Sequence, residues 1–301
     1  MTELRRTAGP SAWCAAAPEP EGWLLPVDRA TRATRAPVDG ALLDDDLLDD
    51  ALVVAADHAL WHGAGFAVLR GLDLAGLTDG ACVELCARIT GRVGGAAGLR
   101  LQRSAHELLT ARTAPAVPRP PGPGAPDTAP RDGDDLTLRP HMDRGEGPRP
   151  PRLLALLCVR PAAEGGESLL ASGPALYDRL AAERPDVLRE LGRDFRFGRG
   201  PGFDRVRPVF RLDGGTLTVH YNRYWVLRGQ EETGRPFDEG RRDALRALDG
   251  LLRDPALVLR LPLRRGDLLL VNNSAVLHGR TPFKDGGAPG SGRCYARVWA
   301  D

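Results

Sequence analysis

The stretch RRGDLLLVNNSAVLHGRTPF, residues 264–283, reads as a Gly-Asp turn, an apolar run of buried-strand type, a polar Asn pair and then His278. The same texture surrounds it. Short apolar or alternating runs at 136–139, 153–159, 168–171, 193–197, 206–212, 217–226, 258–263, 267–271 and 294–299 predict strands. Two helices interrupt them. One starts after Ser172 and carries Leu176, Leu180, Val187 and Leu188, with a break at Pro185. The other follows Asp238 and carries Leu245, Leu248, Leu251 and Leu252. Many short strands punctuated by Gly and Pro predict a mainly β sandwich or barrel with flanking helices.

Further towards the N-terminus, Leu47, Leu48, Ala51, Leu52, Ala55 and His58 recur at helical spacing, and GFAVLRG (65–71) reads as a strand. A second helix is expected from about Thr78 through Cys82, Val83, Cys86 and Ile89. Residues 1–40 lack periodicity and read as an irregular arm. Residues 113–133 are too rich in Pro and Gly for an element. They read as a flap over a site, or as a passive insertion. The whole, 1–301, is expected to be one domain.

With 41 basic and 40 acidic residues there is no basic stripe, and a nucleic-acid partner is not expected. No apolar run approaches the roughly 20 residues that span a bilayer, and no apolar segment follows Arg5 and Arg6, so no membrane partner and a cytoplasmic location are expected. Lys284 is the sole lysine; arginine abundance beside Ala, Gly and Pro fits a GC-rich coding sequence and does not by itself mark phosphate binding. The five cysteines form no CxxC pair, and Cys82 and Cys86, at helical spacing, read as buried thiols.

Chemistry concentrates in RPHMDRGEG, residues 139–147. On a strand, residues i and i+2 share a face, so His141 and Asp143 project together while Met142 points away. With His278 they make two imidazoles and a carboxylate, a facial set that suits non-haem Fe(II) and leaves three positions open, two for a chelating 2-oxo acid and one for O2. Fifteen residues past His278, GRCYARVWA places Arg293, Tyr295, Arg297 and Trp299 on one face of a strand. A guanidinium there can hold a carboxylate through two parallel hydrogen bonds. GGES (165–168) offers Ser168 as a further donor.

Together, HMD, GGES, VLHGRTPF and RCYAR resemble, in order and spacing, the taurine dioxygenase and clavaminate synthase-like oxygenases, from about Ala51 to the C-terminus. The resemblance implies a double-stranded β-helix (jelly roll). It implies iron ligation by His141, Asp143 and His278, and 2-oxoglutarate held by Arg293 with Ser168. At Arg297 it implies contact with an anionic substrate group; pairing with an acid or bracing of Arg293 are the alternatives. Met142 departs from the frequent Thr, and the long flap carries no transferable substrate residues. Asp143 is present, which disfavours the halogenases of this group.

Four further residues are candidate substrate contacts. Asn222 and Arg223 follow His220 on an expected strand, and Arg144 and Glu146 follow the metal motif, where they face an ammonium or carboxylate or else lie in solvent. His58 and His62 sit at i, i+4 without a third ligand in the pattern, and His106 is expected to be exposed. The reading is an Fe(II)- and 2-oxoglutarate-dependent dioxygenase, hydroxylating an unactivated C–H bond of a small anionic or amino-acid-like molecule, free or carrier-bound, in natural-product biosynthesis. Desaturation, epoxidation, cyclisation or oxidative decarboxylation by the same oxidant are alternatives. A zinc hydrolase on the same ligands is a third, which Arg293 and Ser168 oppose.

Overall fold

The computed structural model describes residues 12–15, 20–27, 48–102, 107–110, 138–198, 205–286 and 291–301. In chain order the strands are β1 (Leu24–Pro26), β2 (Phe66–Arg70), β3 (Glu107–Thr110), β4 (Leu138–His141), β5 (Leu153–Arg160), β6 (Glu164–Gly165), β7 (Ser168–Ser172) and β8 (Asp194–Phe197). They continue with β9 (Arg205–Pro208), β10 (Phe210–Asp213), β11 (Thr216–Val219), β12 (Val258–Leu261), β13 (Leu268–Asn272), β14 (Val276–Arg280), β15 (Phe283–Lys284) and β16 (Cys294–Ala300). The helices are α1 (Asp50–Trp61), α2 (Asp79–Ala96), α3 (Gly173–Glu183), α4 (Pro185–Leu191), α5 (Arg223–Glu231) and α6 (Glu239–Leu251).

Two sheets carry the architecture, a six-stranded one in the order β1-β2-β13-β5-β16-β3 and a four-stranded one in the order β12-β7-β14-β4. The period of two along β16 sorts its side chains. Cys294, Ala296, Val298 and Ala300 pack outward with α1 and α2, whereas Tyr295 and Trp299 join Leu154, Leu170 and Val276 in the core between the sheets. Behind the four-stranded sheet, Leu169, Ala171 and Leu277 pack on α3, α4 and α6. This is the jelly roll that the family resemblance implied, with helices covering both outer faces.

Local signals set the helix ends. Asp49, Thr78, Ser172 and Asp238 each accept a backbone N–H at a helix start. Pro185 opens α4 after α3 has ended, as its missing N–H requires. The turn before β13 needs Gly266, at φ 84°, where a Cβ would lie 2.2 Å from the Leu72 carbonyl oxygen. Asp267 closes that turn, accepting from Arg264 N and pairing with Arg70.

Three expectations are corrected. The arm is not wholly irregular, because β1 pairs in parallel with β2, and Trp13 and Trp23 pack against Phe66. The run 206–212 is two strands, split after Pro208, which has no N–H for a continuous ladder. The run 217–226 stops being a strand at Val219 and becomes α5. The flap 113–133 and His106 lie outside the described residues. Cys82, Cys86, Cys158 and Cys294 are buried free thiols and Cys14 is an exposed one. Among the described residues no helix is long and apolar enough to cross a membrane.

Candidate metal centre and its surroundings

Register builds the site. Antiparallel pairing of β14 with β4 sets His278 directly opposite His141, and the two ring centroids lie 4.7 Å apart. The strand ends at His141, so Asp143 stands in the following turn, and the expected opposition with Met142 holds: Met142 is fully buried behind the four-stranded sheet. Asp143 Oδ1 is 3.3 Å from His141 Nε2 and 3.5 Å from His278 Nε2, and the three ligand atoms fall within 4.8 Å of one another.

Asn273, fully buried, fixes the backbone on either side. Its Oδ1 accepts from Asp143 N at 2.9 Å, and its Nδ2 donates to the carbonyls of Asp143 at 3.0 Å and Pro151 at 2.8 Å. His141 Nδ1 lies 2.8 Å from the Arg139 carbonyl, which can only accept. That contact places a proton on Nδ1, so Nε2, beside Asp143, is the nitrogen left to serve a metal.

The donor set fits a metal ion. Burial would raise the Asp143 carboxyl, but the two imidazoles and Arg297 outweigh it and hold the group well below its ordinary range. Burial pushes the His278 imidazole down, against the pull of Asp143. Two imidazole nitrogens and a carboxylate thus converge in a buried site, and a divalent cation standing in for the imidazole protons would satisfy all three at once.

Beyond the triad, β16 carries Arg297, and Arg293 stands immediately before the strand. Arg293 has its guanidinium 3.9 Å from the Tyr295 ring centroid and 5.5 Å from that of Phe283. Its Nε is buried and meets no hydrogen-bond partner among the described residues, and burial lowers its proton affinity. Gly166 of the GGES turn lies against it, since a Cβ there would come within 3.5 Å of Nε. Ser168, on β7, pairs across to Arg280 of β14. The Arg280 guanidinium sits 4.4 Å from the Phe283 ring, and burial, followed by Arg293, pushes its pKa down to about 10. Arg297 instead donates from Nη1 to Asp143 Oδ2 at 3.3 Å and from Nη2 to Glu107 of β3.

The four substrate candidates separate. Arg144 is exposed with a left-handed φ of 55°, its guanidinium 4.3 Å from the Trp299 ring. Glu146 keeps one carboxylate oxygen buried with no hydrogen-bond partner among the described residues, and burial raises its pKa. Asn222 and Arg223 are corrected in setting. Asn222 caps α5 by accepting from Trp225 N, and Arg223 pairs with Asp249 at 2.5 Å, which also accepts from the Tyr221 hydroxyl. His58 and His62 have no third ligand among the described residues.

Residues 28–299 match the family described as "Taurine catabolism dioxygenase TauD, TfdA family". The chain belongs to the TauD/TfdA dioxygenase family. Its enzyme class is therefore that of oxidoreductases working with Fe(II), 2-oxoglutarate and O2, and a zinc hydrolase on the same ligands is not favoured. Among curated relatives, a Streptomyces uridine-5'-phosphate dioxygenase is 34% identical over 143 residues, 43% of this chain and 49% of that protein. The match thus spans about half of that relative's length. FR-33289 synthase of Streptomyces rubellomurinus is 27% identical over 82% of this chain and 72% of its own length. A solved structure of asparagine oxygenase with Fe(II), 2S,3S-3-hydroxyasparagine and succinate superposes with TM-score 0.58 at 17% identity, covering 92% of this chain and 93% of that one. The non-heme iron oxygenase OrfP with Fe and alpha-ketoglutaric acid gives 0.56 at 15% identity, over 85% and 80%.

Three residues of this TauD/TfdA centre carry little or no signal in the sequence. Asn273 is visible there only as half of a polar pair, Trp299 only as a member of the Arg293 face, and Glu107 not at all. Their roles come from which strands lie side by side.

Proposed function

We propose that this chain hydroxylates an unactivated C–H bond of a small amino-acid-like or natural-product molecule, with Fe(II) held by His141, Asp143 and His278. The convergence of those three ligand atoms carries the reading. When bound, iron and 2-oxoglutarate supply the activation of O2 and the oxidising power, with succinate and CO2 as co-products. The residues do the rest. Arg293, whose buried Nε meets no hydrogen-bond partner among the described residues, takes the distal carboxylate of 2-oxoglutarate, and Ser168 on the facing sheet adds a hydroxyl. The aromatic rings of Tyr295 and Phe283 hold the guanidinium in place and keep water from it.

Arg144 and Glu146, next along the chain from Asp143, offer opposite charges at the rim and suit a zwitterionic substrate. By their names the relatives act on uridine-5'-phosphate or asparagine or make FR-33289, and this reading places the chain's substrate among small molecules of such kinds, free or carrier-bound. Desaturation, epoxidation, cyclisation or oxidative decarboxylation would follow from a different aim of the same oxidant. The test is anaerobic addition of Fe(II) and 2-oxoglutarate, which should give a weak visible charge-transfer band, followed by succinate formation across a panel of amino-acid derivatives and nucleotides. Iron uptake without the band and without 2-oxoglutarate consumption sinks the proposal.

A further inference from the structure

We infer that Arg297 and Trp299 are positioning residues that hold Oδ2 of Asp143, so that the metal is offered Oδ1 alone. This rests on the metal-centre reading above. The two carboxylate oxygens have different surroundings. Oδ1 faces both imidazole Nε2 atoms, at 3.3 and 3.5 Å. Oδ2 accepts from the indole N–H of Trp299 at 3.0 Å and from Arg297 Nη1 at 3.3 Å. Rotating the carboxylate to exchange its oxygens would break both contacts in a site where lost hydrogen bonds are not replaced by water. The Asp143 backbone cannot compensate, because Asn273 holds it from both sides.

Each donor is itself fixed. Trp299 is 3% exposed and packs in the core between the sheets. Arg297 is 4.3 Å from the Trp299 ring centroid and is tied at its other amino group to Glu107. Both Nη groups of Arg297 thus serve carboxylates of the chain itself, which makes it a brace for the centre and not an anchor for a substrate anion.

The consequence is coordinative. A carboxylate binding through both oxygens would occupy one of the three positions that a chelating 2-oxo acid and O2 need. Donors on Oδ2 keep that position open, as outer partners commonly do for metal ligands.

The test uses metal-free full-length protein and Co(II) as the probe, read by visible absorbance and by titration. Trp299→Phe keeps the packing volume and removes only the N–H donor; Arg297→Lys keeps the charge but cannot span Asp143 and Glu107. Both should weaken Co(II) binding by about tenfold, the low end for loss of an outer-shell partner. Both should also change the d–d bands, because the freed Oδ2 takes a position that solvent would otherwise fill. A merely structural role would lower the melting temperature and leave the spectrum alone. Wild-type-like Co(II) spectra with affinities within about twofold of wild type in both variants overturn the inference, given the tenfold scale expected. A wild-type protein that takes up no Co(II) overturns the metal-centre reading as well, which distinguishes the two failures.

Discussion

Arg293, the residue before β16, and Arg297, four residues on within that strand, have surroundings that differ in sign. Around Arg297 the chain has spent two carboxylates, Asp143 and Glu107. Around Arg293 it has placed aromatic rings, a glycine turn and a second guanidinium, that of Arg280. The nearby Asp285 is engaged by the Arg293 backbone N–H. A buried guanidinium whose Nε meets no hydrogen-bond partner among the described residues is costly to keep, and burial already lowers the proton affinity of Arg293. One end of the strand is therefore internally neutralised and built for rigidity; the other is an electropositive recess that an incoming carboxylate would stabilise.

The comparison breaks most decisively at the metal. Asp143→Ala removes the ligand that the Arg297 end is built around. It should abolish the anaerobic charge-transfer band and 2-oxoglutarate turnover, and retained turnover would mean that neither end serves iron. The two arginines then separate by kinetic parameter. Arg293→Ala removes charge-assisted hydrogen bonds of about 1.5–3 kcal/mol each, so the KM for 2-oxoglutarate should rise at least about tenfold. Arg297→Ala should leave that KM nearly unchanged and lower kcat instead. Equal rises in KM for the two variants would erase the division of labour.

Much of this contrast is legible in the amino-acid sequence alone. The alternation in RCYARVWA puts both arginines on one inner face, and the residue types of His141, Asp143 and His278 disclose the chemistry although the last two lie far apart in the chain. What alternation cannot disclose is which strand lies alongside. Glu107 meets Arg297 only because β3 pairs with β16, with Glu107 directly opposite Arg297. Asn273 reaches Asp143 only because of where the turn between β13 and β14 falls. The strand expected over 217–226 fails for a different reason. Tyr224, Trp225 and Val226 favour strands, yet the Asn222 cap and packing on β8 select a helix, and Gly229 approaches so closely that a Cβ would lie 2.1 Å from the Arg196 carbonyl oxygen.

The clamp on Asp143 gives a smaller, thermodynamic test. Asn273→Ala leaves one N–H and two carbonyls buried without partners, and each such loss costs about 1–3 kcal/mol before relaxation. Chemical denaturation should show a destabilisation of at least that size in metal-free protein, with metal affinity reduced as Asp143 loosens. Asn272→Ala, whose amide reaches the Leu60 carbonyl on the far side, should weaken stability without touching metal affinity. Parallel loss of metal in both would reassign the clamp to general stability.

The smallest effect is expected at Glu107, and it asks whether the neutral end needs its second carboxylate. Glu107 is 43% exposed at its side chain and Arg297 22%, so solvent screens the pair, and pairs of this kind are worth about 0–1 kcal/mol. Glu107→Gln keeps a hydrogen-bond acceptor at the same place and removes only the charge. Arg297 would still be held by Asp143 and by the Trp299 ring, so stability should fall by no more than about 1 kcal/mol. The KM for 2-oxoglutarate should not move, since Arg293 and not Arg297 is assigned that contact. Removing the charge also leaves Arg297 with one carboxylate instead of two, which makes this end more electropositive. An anionic competitor that binds Glu107→Gln better than wild type would show that Glu107 had been filling an anion site on Arg297, and the contrast between the two ends would then be one of occupancy and not of construction.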